Sequence, residues 1–453
     1  MRNIYGFLVL LLIPILLSGQ KLTQTDTIST FPSYPEDQIP TIPTDIEADL
    51  DNSFPEPGAV LGTFIPRKWF NWKSDLYDKT GLKLGASYQM LYTSSSITGG
   101  TLSQAAPGQE PNNGLGGWVQ FEAQWKLFNK DKAWEGSINF AIDGRHRLAG
   151  DVIPGELYFE SGTQFAIDAM YLPWDPYFAI LFYEQHFKND KFWVRAGHIA
   201  PAAVLDFFRF KDARVSFTGP QLVFPLTSIP YAAPGLGMAF KWSIPNGKGL
   251  YLSGAFSDLN ADPGEFNWTS LFDYGEVFAG VEIGKNWLRS KSDFDHLHLM
   301  LFYADERSST PAPFVTESGW GFKVHGSKQW NDIVAFANYT YNTVQGGGFG
   351  IFTMSDHSAN LGLVRLDPFK IKGEIGGALS MGNPMSEWVG KIESIFGPGS
   401  IRAEAQFNAE AYWRILLLKQ LWVTPGIQLH LNPTYNPTQD TMWAPYIKAR
   451  FFI

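Results

Sequence analysis

The segment from Trp443 to Ile453 constrains the fold more than any other. Ile447, Ala449, Phe451 and Ile453 are apolar, and the interleaved Tyr446, Lys448, Arg450 and Phe452 are mostly polar or amphipathic. That is period two: a strand with one oily face and one wet face. The stretch before it repeats the pattern, with Leu421, Val423, Ile427, Leu429 and Leu431 set against Trp422, Thr424, Gln428 and His430. A soluble sheet could show such a pair once. Here the alternation recurs back to Gly81, and an apolar leader opens the chain. Together these features point to a barrel that crosses an outer membrane and is closed by its last strand.

The leader, residues 1–20, has Arg2 at its positive end, an apolar run from Phe7 to Leu17, and the small Ser18 and Gly19 after it. It reads as a signal peptide, since the run is too short for an anchor helix. No other stretch approaches the length of an apolar membrane helix. Residues 21–66 are punctuated by proline among Thr, Asp and Glu, and show no periodic apolar face. They read as an extended or disordered periplasmic linker. Residues 67–79 are expected to form a short helix, stopped by Thr80-Gly81, with the barrel running from about 81 to 453.

Charge and cysteine usage exclude whole classes of chemistry. The net charge of −9 offers no basic excess to neutralise phosphates, so nucleic acid is not an expected partner. The absence of Cys excludes disulfides, thiolate metal sites and a cysteine nucleophile. Aromatics at 15% and 44 glycines suit aromatic girdles and glycine-relieved strands.

The alternating segments number about sixteen, an even count, and the connections between them sort by length. Those after even-numbered strands are mostly short: Asn189-Asp190, Pro245-Asn246-Gly247, Trp330-Asn331, Asp367-Pro368 and Lys419-Gln420. Those after odd-numbered strands are long, as in 95–115, 148–168, 200–234, 259–274 and 383–402. Short periplasmic turns and long outer loops are what an up-and-down membrane barrel requires. The fold class is therefore all-β, a transmembrane antiparallel up-and-down β-barrel with a short N-terminal helix.

Catalytic signatures are lacking: there is no His-Glu-x-x-His, no Gly-x-Ser-x-Gly and no phosphate-binding Gly-x-x-x-x-Gly-Lys. Asp258, Asn260 and Asp262, with Glu265 following, have near-calcium spacing. However, Gly264 comes one place late and Thr269 replaces the bidentate Glu. A solvated loop is the favoured reading there, and a calcium site the lesser one. The informative residues are polar ones on inward faces: Glu122, Asp143, Arg145, Arg195, Glu410, Tyr412, Arg414, Lys448 and Arg450, beside rings such as Trp193. The long loop 200–234 adds Arg209, Lys211 and Arg214 among aromatics and is expected to fold in and narrow the pore. The alternative is an exposed surface loop. Both charge signs occur, so the lumen is not a plain ion funnel. Donors and acceptors beside aromatic rings suit neutral polyhydroxylated solutes. The plainer reading is that these charges only solvate the channel and neutralise one another.

Several segments resemble the OprB-type carbohydrate-selective porins. Trp72 to Gly81 resembles that family's Trp-to-Leu segment leading to Gly, without its usual Gly-x-Arg. Gly116-Gly117 is similar to its paired glycine. Arg195-Ala196-Gly197 resembles its Arg-x-Gly-Lys, with His198 where Lys is usual. Glu410 to Arg414, Thr424 to Gln428 and Asn432-Pro433 resemble its C-terminal signature. The resemblance implies a sixteen-strand barrel, passive uptake of sugars, and no reaction or cofactor. The expected partners are sugars as solutes, outer-membrane lipid, and the barrel-assembly machinery during folding. The rival readings are a general porin, an outer-membrane barrel hydrolase, and a soluble secreted β protein.

Overall fold

The structure, a computed structural model, describes residues 60–453 except 62–64, 104–107, 109, 131, 165–167, 169–170, 173, 188–190, 207, 209, 215, 224, 263, 288–294, 310–316, 347–352 and 419. These residues belong to one compact unit, Tyr34–Ile453. The signal peptide, nearly all of the linker, the Asn189-Asp190 turn, Lys419 and Arg209 lie outside the described residues.

One helix, α1 (Arg67–Thr80), precedes the sheet. The first eight strands are β1 (Leu82–Ser94), β2 (Asn113–Phe128), β3 (Gly136–Gly150), β4 (Trp174–Phe187), β5 (Phe192–Ile199), β6 (Gly235–Ser243), β7 (Leu250–Asp258) and β8 (Val277–Asn286). The second eight are β9 (His296–Ala304), β10 (Gly319–Trp330), β11 (Ile333–Asn342), β12 (Ser355–Leu366), β13 (Gly373–Pro384), β14 (Gln406–Leu418), β15 (Leu421–Leu431) and β16 (Thr441–Phe452). Each strand pairs antiparallel with its neighbours in sequence, and β1 pairs with β16, so the described strands form a closed sixteen-stranded barrel.

The two-residue period fixes which side chains face in. In β9, Leu297, Leu299, Leu301 and Tyr303 are exposed on the outside, while His296, His298, Met300, Phe302 and Ala304 are buried. At the closing seam, Tyr88, Met90 and Tyr92 of β1 stand opposite Phe451, Ala449 and Ile447 on the outer face. Gln89 and Leu91 stand opposite Arg450 and Lys448 on the inner face. The outside is thus an apolar, aromatic-rich band, and the inside carries the polar groups.

The short turns follow from backbone chemistry. Asn129, Asn246 and Asn331 each take φ between 51° and 61°, a left-handed conformation that asparagine tolerates better than most residues. α1 ends at Gly81, whose φ of 74° lets its N–H reach Tyr77 O at 2.8 Å. Upstream, the backbone N–H groups of Val60 and Leu61 donate to Leu416 O and Leu417 O at the end of β14 (3.1 and 2.9 Å).

Two features depart from the pattern-based reading. β4 begins at Trp174, and its pairing with β3 slips near Asp143 and Pro176 because proline cannot donate to the ladder. The segment 383–402 is not a plain loop: β13 extends to Pro384, and Ser386–Phe396 is helical. Trp388 and Ile392, one turn apart, bury against Tyr158, Met354 and Tyr435 at the loop-rich end of the barrel.

Ile447 sits in the middle of β16 on the outer face. Ile447→Arg is expected to destabilise the barrel in bilayers by about 2–4 kcal/mol. Phe451→Arg, near the strand end, should cost about 0–1 kcal/mol. Urea titration of protein folded into lipid vesicles measures both, and equal costs would contradict the depth assignment.

Candidate functional site

The interior is built from charges that find partners. Arg145 and Asp143 are two residues apart in β3, share the inner face, and meet at 3.0 Å. The Arg145 guanidinium lies over the Trp118 ring, 4.4 Å from its centroid. Arg195 of β5 stands directly opposite Glu184 of β4 and pairs with it, while covering the Trp193 ring at 4.4 Å. Arg414 of β14 stands opposite Glu374 of β13, pairs with it at 2.8 Å, and covers Trp422 at 4.5 Å. The same unit thus occurs three times: an arginine, a carboxylate and an indole. Burial makes an isolated charge costly, so each guanidinium is held by an opposite charge along its edge and a ring across its face.

The loop 200–234 enters this interior and is tied to strands all around it. At one end the Asp206 carboxylate meets Lys323 of β10 at 2.6 Å, His298 of β9 at 3.4 Å and the loop's own Lys211 at 3.7 Å. Its N–H donates to Glu282 of β8. Burial pushes the Asp206 carboxyl up, but Lys323, Lys211 and His298 outweigh it and hold it far below the usual carboxylate range. In the middle, Arg214 pairs with Asp212 at 2.9 Å and reaches Gln120 and Glu122 of β2 at 2.8 and 3.5 Å. Further on, Glu410 of β14 accepts the N–H groups of Thr218 and Gly219 (2.6 and 2.9 Å) and the Tyr446 hydroxyl (2.8 Å). Lys448 of β16 donates to the carbonyl oxygens of Ala213 and Phe217 at 2.8 and 3.5 Å, and to that of Ser216.

Apolar packing completes the seat. Phe208 meets Phe336 of β11 at 4.6 Å between centroids, and Phe217 meets Tyr412 of β14 edge-on at 4.8 Å. Tyr412 also donates to Glu374 at 2.6 Å. The loop therefore folds inward, as its composition suggests, and fills the middle of the barrel rather than lying on the surface.

The sequence-derived site residues fall where the alternation puts them. Glu122, Asp143, Arg145, Trp193, Arg195, Glu410, Tyr412, Arg414, Lys448 and Arg450 all face inward and are buried, and Arg214 joins them from the loop. They do not converge on one point. Lys448, Glu410 and Arg214 hold the loop, whereas Arg145, Arg195 and Arg414 belong to the wall. Arg450 lies against the Phe452 ring at 5.8 Å.

His198 is on the outer face. It is covered by Phe266 and Trp268 of the loop 259–276, at 4.8 and 6.4 Å, and so does not face the interior. Gly197 before it has φ of 138°, and a Cβ there would strike Leu181 O, so only glycine fits. The calcium-like cluster has turned its oxygens to the protein. Asp258 accepts from Asn260 N at 2.9 Å and from Ser270, Asn260 donates to Glu276 at 2.8 Å, and Asp262 meets Arg307 at 2.6 Å. Among the described residues, no group of three or more His, Asp or Glu is arranged to hold a metal.

This geometry can be set against known proteins. No protein-family model and no curated protein matches the sequence. Among solved structures, the high-pH structure of Pseudomonas putida OprB superposes with a TM-score of 0.66 at 14% identity, covering 87% of this chain and 99% of that one. The chain has the fold of an OprB-type porin. The low-pH structure of the same protein gives a TM-score of 0.50 at 11% identity, with the same coverage of 87% and 99%. The sixteen-strand barrel implied by the motif resemblance is therefore present.

Sequence reasoning missed Asp206, Glu282 and Lys323, which fasten the loop. His296 and His298 were legible as sharing a strand face, but not their company. His296 Nε2 lies 2.8 Å from His298 Nδ1, and the His325 ring stacks on His298 at 5.1 Å. Loop residues have no register with strands, so nothing in the pattern could bring Asp206 to them. Asp206→Ala removes the common partner of two buried lysines and is expected to lower stability by about 3–5 kcal/mol. Denaturant unfolding in vesicles checks this; a loss below about 1 kcal/mol, the range of surface pairs, would contradict the anchoring role.

Proposed function

We propose that this barrel is a channel in the outer membrane of a Gram-negative bacterium, through which carbohydrates diffuse passively with no reaction and no cofactor. The barrel's likeness to OprB and its apolar outside support the channel and its location. The observation that carries the carbohydrate reading is the threefold arginine–carboxylate–indole unit. A ring of one charge sign would select ions. Here each charge is neutralised at its own position, which leaves local dipoles, hydrogen-bonding edges and aromatic faces. Those are the groups that hold hydroxyls briefly and let them go. Because the loop 200–234 packs inside the barrel, it narrows the path a solute would take. In this reading residues 1–20 are the signal peptide, the segment 21–66 lies in the periplasm, and the short turns face the same side.

Single-channel recording with rising maltose tests the solute class. Maltose should partly block the ion current, and Arg145→Ala or Arg414→Ala should weaken that block more than a change at a loop tip such as Gly399. If maltose and glucose leave the current unchanged, or if the arginine changes alter only ion preference, the barrel is a general porin. Orientation is tested separately: an epitope inserted at Gly399 should be labelled on intact cells and one at Asn246 should not. Reversed labelling would overturn the sidedness.

A further inference from the structure

A second set of inward residues differs in kind from the charged units. His325 of β10 stands opposite Asn338 of β11, which stands opposite Asn360 of β12. Asn360 stands opposite Ser380 of β13, Ser380 opposite Asn408 of β14, and Asn408 opposite His430 of β15. Six consecutive strands thus place a polar side chain at one level, and all six face the interior and are buried. None is a carboxylate, an ammonium or a guanidinium. Five inter-strand steps of about 4.8 Å make a row roughly 24 Å long.

The row holds both donors and acceptors, and much of that capacity is unused. Asn360 donates to Asn338 at 2.7 Å and to Gln221 O of the loop at 3.2 Å. Yet Asn360 Oδ1, Ser380 Oγ, both amide atoms of Asn408 and both ring nitrogens of His325 have no hydrogen-bond partner among the described residues. Buried polar groups are normally satisfied, so unsatisfied ones on three neighbouring strands, at Asn360, Ser380 and Asn408, point to a ligand that would satisfy them. The next inward level carries Ser327, Phe336, Gly362, Ala378, Glu410 and Gln428 in register, with the Phe336 ring packed over Gly362. An aromatic ring and two small residues are therefore among the groups that flank the row.

Resting on the carbohydrate reading above, we infer that this row is a binding rail for a neutral saccharide several rings long. Hydroxyls both donate and accept, as amides and imidazoles do, and a sugar's apolar face suits the flanking ring. The charges that border the row, Glu410 next to Asn408 and Lys323 next to His325, are already engaged by the loop 200–234. The loop now covers part of the rail: Gly219 packs against Asn408, and Gln221 bonds Asn360. A saccharide on the rail would replace these loop contacts, which ties its binding to displacement of the loop.

The test uses the purified full chain in planar bilayers, with maltotriose as the probe. The Ser380→Ala/Asn408→Ala variant should raise the half-blocking concentration about tenfold. Ser380→Ala alone removes one buried hydroxyl, is mild enough to fold, and should raise it by about threefold. Ser380→Thr keeps the hydroxyl and should restore block. Wild-type-like block in both alanine variants would overturn the rail while leaving the carbohydrate channel standing. Lost block with a severalfold rise in potassium chloride conductance would also overturn it, because the row would then only seat the loop. Absence of maltotriose block in the unaltered protein would overturn the carbohydrate reading itself.

Discussion

Closure of the backbone hydrogen-bond ladder is the constraint on which the rest depends. In hydrocarbon there is no water to satisfy a free N–H or C=O, so a sheet can cross a membrane only if it has no edge. The β1–β16 pairing removes the last edge. Once the ring is closed, alternation sends every second side chain to the outer face and the rest to one shared interior. The outer face can then be apolar at any position. The inner face must solve a harder problem, because it collects nearly all the polar groups of the barrel into a confined space.

The solution is pairing at short range. Arg145, Arg195 and Arg414 each have their carboxylate on the same strand or directly across one ladder step, so the register that builds the sheet also builds the ion pairs. Further charges, at Glu410, Lys448 and the Lys323 group, are met by the loop 200–234, largely through its backbone and Asp206. Wall and loop are therefore one electrostatic system. The loop is held inward by the same groups that would otherwise be stranded without it.

The barrel was legible because its signals are local. A two-residue period, asparagine turns and sorted connection lengths can each be read without knowing what lies across the barrel. Inward-facing residues such as Glu122 and Arg450 were legible for the same reason. What the pattern could not supply was proximity. Asp206 reaches β9 and β10 from the loop between β5 and β6, and the row from His325 to His430 exists only when six strands are set in register. Asn338, Asn360 and Ser380 are unremarkable in their own strands. The helix at 386–396 does carry a helical apolar pattern, Trp388, Val389, Ile392, Ile395 and Phe396, which the strand-and-loop reading passed over; its partners, Tyr158 and Tyr435, come from distant loops. His198, where the resembled motif usually has Lys, is turned outward by the alternation and lies under a neighbouring loop.

The seam between the first and last strands also governs when the molecule can exist. Every other strand pair is between neighbours in sequence and can form as soon as both are made. β1 and β16 stand at opposite ends of the described barrel, so their pairing closes the longest loop in the protein and comes at the greatest entropic distance. Until β16 arrives, the sheet has two open edges, each with a row of unpaired backbone groups. Loss of that single strand would not leave a slightly smaller barrel. It would leave an open ribbon, with two adhesive margins and an interior that never becomes an interior.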